Sequence, residues 1–431
     1  MNIPGTALRR RVAIVGSGIS GLTAAHLLCR RHDVTVYEAD TRIGGHTHTV
    51  DVTVQGRAYA IDTGFIVCND RTYPDFLRLL DRLGVARQPS TMGFSVQCER
   101  SGLEWAGGSL DQVFAQRRNL LNPRFWGMLT DILRFNREAR DLLDDDGGYD
   151  GTLTLGEYLE RHDYSPMFRD YYIVAMGAAI WSAGVRDMLQ FPVRFFVRFF
   201  HNHGLLNLRD RPQWQVLAGG SRSYLGPLTA GFADRIRTAS PVLAVHRSHA
   251  GVEVRTAAGP ESFDAVVFAC HSDQALQILG ADATPAEREI LGAIPYQENE
   301  VVLHTDTRLL PVSRKTWSSW NYRLPAVAGD RVQLTYNMNI LQSIRAPETF
   351  CVTLNRSQQI DAGRILGRWT YHHPCYTTDG MRARARREEI SGAPVNGGGL
   401  TYYCGAYWHN GFHEDGVSSA LAVAAQFGER L

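Results

Sequence analysis

Lysine is nearly missing from this chain of 431 residues: it occurs once, at Lys315, and the other 44 of its 45 basic residues are arginines. Lysine-dependent chemistry therefore has one candidate, and Ser313-Arg314-Lys315-Thr316-Trp317 reads as a solvated surface stretch. Net charge is almost absent too, at +1, which argues against nucleic acid or another polyanion as the main partner. The seven cysteines, Cys29, Cys68, Cys98, Cys270, Cys351, Cys375 and Cys404, are odd in number and contain no CxxC pair. Neither a disulfide framework nor a thiolate zinc site is indicated. The histidine pairs His46/His48, His201/His203, His372/His373 and His409/His413 lack a third ligand at a recognisable spacing, so no metal is expected. No apolar run reaches the ~20 residues that span a bilayer, and no signal-peptide pattern precedes the first predicted strand. The cytoplasm is the expected compartment. With 44% hydrophobic and 21% charged residues, the chain can bury a large core and is expected to form two interleaved domains.

What is abundant is glycine placed for phosphate. Val12-Ala13-Ile14-Val15 reads as a strand buried on both faces of a parallel sheet. Gly16-Ser17-Gly18-Ile19-Ser20-Gly21 follows at once. Gly16 permits the turn, Gly18 lets the backbone approach a pyrophosphate, and Gly21 lets the next helix close on the sheet. Ile19, Leu22, Ala25 and Cys29 recur at helical spacing, predicting a helix from about 20 to 31 with one side on the sheet. Its amino end favours an anion. Val34-Thr35-Val36-Tyr37 reads as the second strand, and Glu38, followed by Ala39, closes it where a carboxylate can accept the hydroxyls of an adenosine ribose. Arg42-Ile43-Gly44-Gly45 comes next, a further basic residue and glycine pair that a simple NAD domain has no use for. The cofactor expected is FAD.

At these residues the sequence resembles the flavin-containing amine oxidase and phytoene desaturase superfamily. The likeness continues through Gly45-His46-Thr47-His48 and Asp62-Thr63-Gly64-Phe65, then Leu217-Ala218-Gly219-Gly220-Ser221, and the strand-like Ala265-Val266-Val267-Phe268-Ala269-Cys270. It closes with Tyr403-Cys404-Gly405-Ala406 and Gly411-Phe412-His413-Glu414-Asp415-Gly416-Val417. The resemblance implies an α/β fold: a Rossmann-like FAD-binding domain built from 1–75, 215–285 and 390–431, interleaved with an α+β substrate domain from 76–214 and 286–389. It also implies that His46, Gly64 and Phe65 face the flavin, that Val242 holds adenine through its backbone, and that Cys270, Gly405, Glu414, Gly416 and Val417 border the cofactor. Glu414 is expected to orient it. The implied chemistry is hydride transfer from substrate to FAD, with His413 or Glu300 as base.

Amine oxidases of this superfamily place a lysine at the start of a substrate-domain strand. Here Asn299 or Glu300 occupies that place in Glu300-Val301-Val302-Leu303-His304, which counts against amine oxidation. More narrowly, Asn202-His203-Gly204, Trp317-Ser318-Ser319-Trp320 and Gly411-Phe412-His413-Glu414-Asp415-Gly416 resemble a bacterial branch associated with cyclopropane- and methyl-branched fatty-acid modification. That implies a desaturase or oxidase acting on a lipid or other small hydrophobic molecule. Oxygen, a quinone or a carrier protein remain open as electron acceptor, since no second nucleotide fingerprint is present. An amine oxidase without its lysine, a redox-neutral flavin isomerase and a non-catalytic lipid carrier are the alternatives.

Three further segments carry expectations. Phe191, Phe195 and Phe199 share a helical face opposite Arg194 and Arg198, which reads as a core helix, an acyl-chain wall, or a peripheral membrane contact. Trp317, Trp320, Tyr322, Tyr336, Tyr402, Tyr407, Trp408 and Phe412 form an aromatic set expected near the ring. Asp144–Gly148, Ala258–Phe263 and Gly397–Gly399 read as connections.

Overall fold

The computed structural model describes residues 9–143, 153–327, 331–392 and 400–431, with Gly329 and Pro394. The expected connections at Asp144–Gly148 and Gly397–Gly399 lie outside the described residues.

Strand β1 (Arg11–Val15) has Val12, Ala13 and Ile14 fully buried, as a central parallel strand requires. It lies between β2 (Asp33–Tyr37) and Ala265–Phe268 in a five-stranded sheet. The sheet order is Ile236–Arg237, β2, β1, Ala265–Phe268, Leu400–Tyr403, and every pair is parallel. This is the Rossmann-like sheet of the cofactor domain. Helix α1 (Ile19–Leu28) departs from expectation, because nine of its ten residues are buried rather than one face. Its almost uniformly apolar sequence suits a helix covered on both sides. Ala258–Phe263 also differs from its reading as a connection: Gly259–Phe263 is a strand paired antiparallel with Gly251–Thr256. It is the edge of its three-stranded sheet, where Pro260, which has no N–H to donate, is tolerated.

The second large sheet has seven strands. Two of them matter most for the site: β3 (Tyr296–His304) pairs antiparallel with β4 (Ile365–Pro374). The order continues from β3 through Cys351–Leu354, Leu334–Asn337 and Trp320–Leu324 to Phe94–Cys98 and Glu104–Ala106. Helices α2 (Pro123–Glu138), Val174–Trp181 and α3 (Val193–Asn202) contribute to the largest apolar core with this sheet. Helix α3 is the phenylalanine-rich segment, and the core reading holds for it. Phe196 and Phe200 are fully buried, Phe191 and Phe199 nearly so, and half-buried Phe195 stacks on Tyr376 at 5.1 Å between ring centres. Phe191 and Phe199 pack on Trp181 at 4.7 and 4.6 Å. The aromatic side of α3 is therefore occupied by protein, while Arg198, His201 and Asn202 face solvent, and the reading in which its phenylalanines rest in lipid is overturned.

The chain ends in α4 (His413–Gln426), laid across α1. Gly416 makes the crossing possible, since a Cβ there would come within 2.7 Å of the Ile19 side chain and 3.0 Å of Ser20 Oγ. Among the described residues no helix is long and apolar enough to cross a membrane.

Candidate active site

The nucleotide end is made of backbone. Gly16 has φ +105°, and an added Cβ would lie 2.9 Å from the Ala269 carbonyl. Gly16 N–H donates to Tyr37 O at 2.8 Å, tying the turn to the end of β2. Gly21 has no room at all: a Cβ there would lie 2.0 Å from Gly16 O. Gly18 is the opposite case. It stands at the N-cap of α1 with φ −68°, which any residue can adopt, and an added Cβ would meet no protein atom within 4 Å. No side chain caps this helix, so its first N–H groups and the positive end of its dipole face the same open space. Gly44 N–H donates to Ser17 O at 2.9 Å, and a Cβ on Gly45 would lie 3.1 Å from Gly18 Cα. The two glycine loops thus meet edge to edge around the cradle. Arg42 braces the second one, donating from Nη1 to Gly45 O at 2.8 Å.

Glu38 sits beside the cradle. Its carboxylate accepts from Ser17 N–H at 2.9 Å, from the Ser17 hydroxyl, and from Asp40 N–H at 2.9 Å. A carboxylate has about four acceptor positions, so one stays available to a ribose hydroxyl. Ala39 beside it is exposed. Cys270 follows Ala269 just past the strand Ala265–Phe268 and stands against Gly16, with its thiol pushed up to about 12 by burial. Val242 is buried in the neighbouring core with Tyr37.

The ring end is made of side chains. His46 follows Gly45, and its Nε2 is buried without a hydrogen-bond partner. Tyr371 and His373, both on β4, lie at 5.1 and 5.3 Å from the His46 ring. His271 lies at 6.4 Å. Burial holds these rings neutral, pushing His46 and His373 down to about 3 and His271 to about 4. The Tyr371 hydroxyl joins His48 Nδ1 at 2.8 Å and Thr63 Oγ1 at 2.9 Å. Gly64 makes this corner possible, because a Cβ there would lie 2.2 Å from His46 O. Asn355 Nδ2 donates to Asn299 Oδ1 at 2.8 Å, and Asn299 Nδ2 contacts His373 Nδ1 at 3.0 Å. With the Asn299 oxygen already accepting, its amide nitrogen donates to His373 Nδ1 and leaves the ring proton on Nε2.

His373 also lines a small cavity of about 70 Å³. Trp181, Phe191 and Tyr376 form its aromatic wall, and Asp187 is the one carboxylate among its lining residues.

Several expected residues are placed elsewhere. Glu300 alternates with Asn299 on β3, so when Asn299 turns inward, fully buried, Glu300 turns out and pairs with Arg368 at 3.3 Å. It does not reach the site. His413 is enclosed, stacked on Phe65 at 3.6 Å, with Nε2 2.9 Å from the Thr47 hydroxyl. Burial holds its pKa well below the usual value, so it is a poor proton acceptor. The Glu414 carboxylate accepts from Asp75 N–H at 3.0 Å and Phe76 N–H at 2.8 Å, capping helix Pro74–Arg82 instead of turning toward the cradle. Burial raises it to about 7. By contrast Gly416 stays beside the cradle, packed on Ile19 and Ser20 at the start of α1, while Val417 turns its side chain into the core and Gly405 leaves room for the Tyr407 ring, which an added Cβ would strike at 2.3 Å. The aromatic set is dispersed: Tyr322 is in the substrate-domain core, Tyr402 in the core beneath α1, and Tyr407 and Trp408 in a third core. Lys315 pairs at the surface with Asp111.

Sequence reasoning missed the grouping of His46, His48, His271, Tyr371 and His373. The adjacent histidine pairs were the only signal, and read for metal ligation they gave no geometry. Trp181 and Tyr376 carried no signal.

An open glycine cradle at an uncapped helix, a carboxylate with a free acceptor position and an orphaned ring nitrogen fit a dinucleotide and its aromatic head. Together with the fold they define a FAD-dependent oxidoreductase. Residues 19–318 match the family of flavin containing amine oxidoreductases, and the chain belongs to that family. No curated protein matches the sequence. Among solved structures it resembles cyclohexylamine oxidase from Brevibacterium oxydans IH-35A, with 16% identity over 97% of this chain and 99% of that one and a TM-score of 0.69. Wild-type putrescine oxidase bound to putrescine is similar at 16% identity over 97% and 98%, with a TM-score of 0.67. A fatty acid isomerase from P. acnes that produces CLA is similar at 17% identity over 95% and 97%, with a TM-score of 0.68.

Proposed function

We propose that this oxidoreductase takes a hydride from a hydrophobic acyl chain, methyl-branched fatty acyl groups being the preferred class, and so acts as a desaturase or oxidase. The observation that carries the reading is the cavity beside His373, walled by Trp181, Phe191 and Tyr376. FAD, when bound, supplies the two-electron acceptor. The aromatic wall strips water from an alkyl segment, which favours an apolar substrate by about 25 cal/mol per Å² of surface covered. His373, with its proton held on Nε2 by Asn299, can donate to an acyl carbonyl oxygen and so fix the chain's position. The second hydrogen leaves as a proton, for which His46 offers its unpartnered Nε2, with burial lowering its basicity as it does that of His413. The lysine of amine oxidases has no counterpart here, and Asn299 stands on the inward face of that strand.

Asp187 favours a second reading, since one carboxylate on an apolar cavity suits an aliphatic amine. Anaerobic bleaching of the flavin separates the two. Branched acyl lipids should bleach it while unbranched acyl chains do so more slowly and amines not at all. Rapid bleaching by alkylamines with none by lipids would replace the acyl reading with amine oxidation.

A further inference from the structure

Ten large apolar side chains stand exposed among the described residues, and five of them fall between positions 110 and 133: Leu110, Leu120, Leu121, Trp126 and Leu133. Leu121 is 90% exposed and Leu110 78%. Scattered singly such residues need no explanation, but a contiguous group marks an interaction surface. Contiguity here is physical. Trp126 Nε1 donates to Leu120 O at 3.0 Å, which fixes the indole beside the turn Arg117–Leu121, and its ring packs on Phe114 at 5.2 Å. Trp126, Leu129 and Leu133 recur at i, i+3 and i+7 along α2 and share one face. The indole N–H is already satisfied by protein, so the ring can leave water without stranding a donor.

The charge around this face has a positive surplus. Positions 110–140 hold six arginines against three acids, a surplus of three in a chain whose net charge is +1. Arg117, Arg134 and Arg137 pair with Asp111, Asp131 and Glu138, which leaves Arg118, Arg124 and Arg140 as the surplus. Arg118 and Arg124 are exposed and flank Leu120 and Leu121.

We propose that this face docks on an anionic phospholipid surface, with Leu121 and Trp126 entering the boundary between headgroups and acyl chains and Arg118 and Arg124 on the phosphates. Apolar side chains ringed by guanidinium groups complement such a surface in both hydrophobicity and charge. A second copy of the chain is the poorer occupant, because a twofold interface would set the same positive surplus against itself. The proposal does not depend on which substrate the cavity takes.

The test is sedimentation of the FAD-loaded chain with vesicles of phosphatidylglycerol and phosphatidylcholine, against vesicles of phosphatidylcholine alone. Wild type should bind the anionic vesicles, weaken as salt is raised, and leave the neutral ones largely in solution. Leu121→Ser with Trp126→Ser should lower vesicle affinity about tenfold or more while flavin content stays that of wild type. Arg118→Glu with Arg124→Glu, both on the surface, should abolish the preference for anionic vesicles, and it carries the test if the first variant loses flavin. No sedimentation with anionic vesicles at low salt, or variants that bind as wild type does, would overturn the proposal. So would a wild-type dimer that these variants convert to monomer.

Discussion

The two ends of the site are made of different material. At the nucleotide end the chain's own backbone is the binding surface: Gly16, Gly21, Gly44 and Gly45 meet where a side chain would clash, Gly18 opens onto the cradle between them, and all five lie within thirty positions of one another. At the ring end the surface is side chain, gathered from His46 and His48, from Thr63, from β3 and β4, from Trp181 at the end of its helix and from Phe191 just before α3. A backbone site tolerates no change at its tight contacts, whereas a side-chain site depends on burial and on the protonation that burial imposes.

The largest expected effect probes the first half of that contrast. Gly21→Ala places a methyl group 2.0 Å from Gly16 O, so α1 must move off the sheet. Loss of about 3 kcal/mol or more of stability, with little FAD-loaded protein recovered, is the expected outcome of a denaturant titration. Near-normal stability would show that the turn is looser than described.

Acid should reveal the second half. Six histidines, His46, His48, His203, His271, His304 and His373, are pushed down to about 3 or 4 by burial. Above pH 6.5 they are neutral folded or unfolded and have no effect on stability. As pH falls from 6.5 toward 4 the unfolded chain takes up protons that the folded one refuses, and stability is lost, by up to about 1.4 kcal/mol per pH unit for each ring. Asp62, Glu414 and Asp415, raised to about 6, 7 and 6 by burial, act in the opposite sense over part of this window, but three carboxyls do not offset six rings. The melting temperature should fall steeply below pH 6, and His46→Gln with His373→Gln should flatten the fall. A profile unchanged by that pair would remove the histidines as its cause.

This contrast also explains what could be read in advance. Gly16 through Gly21, Glu38 and the strands around them are local in sequence, so spacing alone located the Rossmann turn and its cofactor. Asn299, Tyr371 and His373 meet only because β3 and β4 pair in one register, and spacing along the chain carries none of that. Glu300 was misplaced by one position for the same reason, since strand alternation turns neighbours to opposite faces. Glu414 was read from its local motif alone, yet its carboxylate caps a helix whose proximity no local pattern announces. Helix α3 was legible as amphipathic, while the burial of its aromatic side depends on Trp181, Tyr376 and the core beyond.

The smallest effect is the control for the whole comparison. Gly127 in α2, like Gly18, has no protein atom within 4 Å of an added Cβ. Gly127→Ala should stabilise the chain by about 0.5–1 kcal/mol, the ordinary helix preference for alanine, and leave FAD content unchanged.

Gly18→Ala is the decisive companion. Its backbone suits any residue and its surroundings in the protein are open, so only a bound pyrophosphate can object to the methyl group. Titrating FAD into the two purified variants, followed by recovery of the flavin absorption band and by thermal melting, tests the central claim that the nucleotide lies in this cradle. The account predicts that both fold as wild type and that FAD affinity falls about a hundredfold or more in Gly18→Ala alone. Equal FAD affinity in Gly18→Ala, Gly127→Ala and wild type would contradict it.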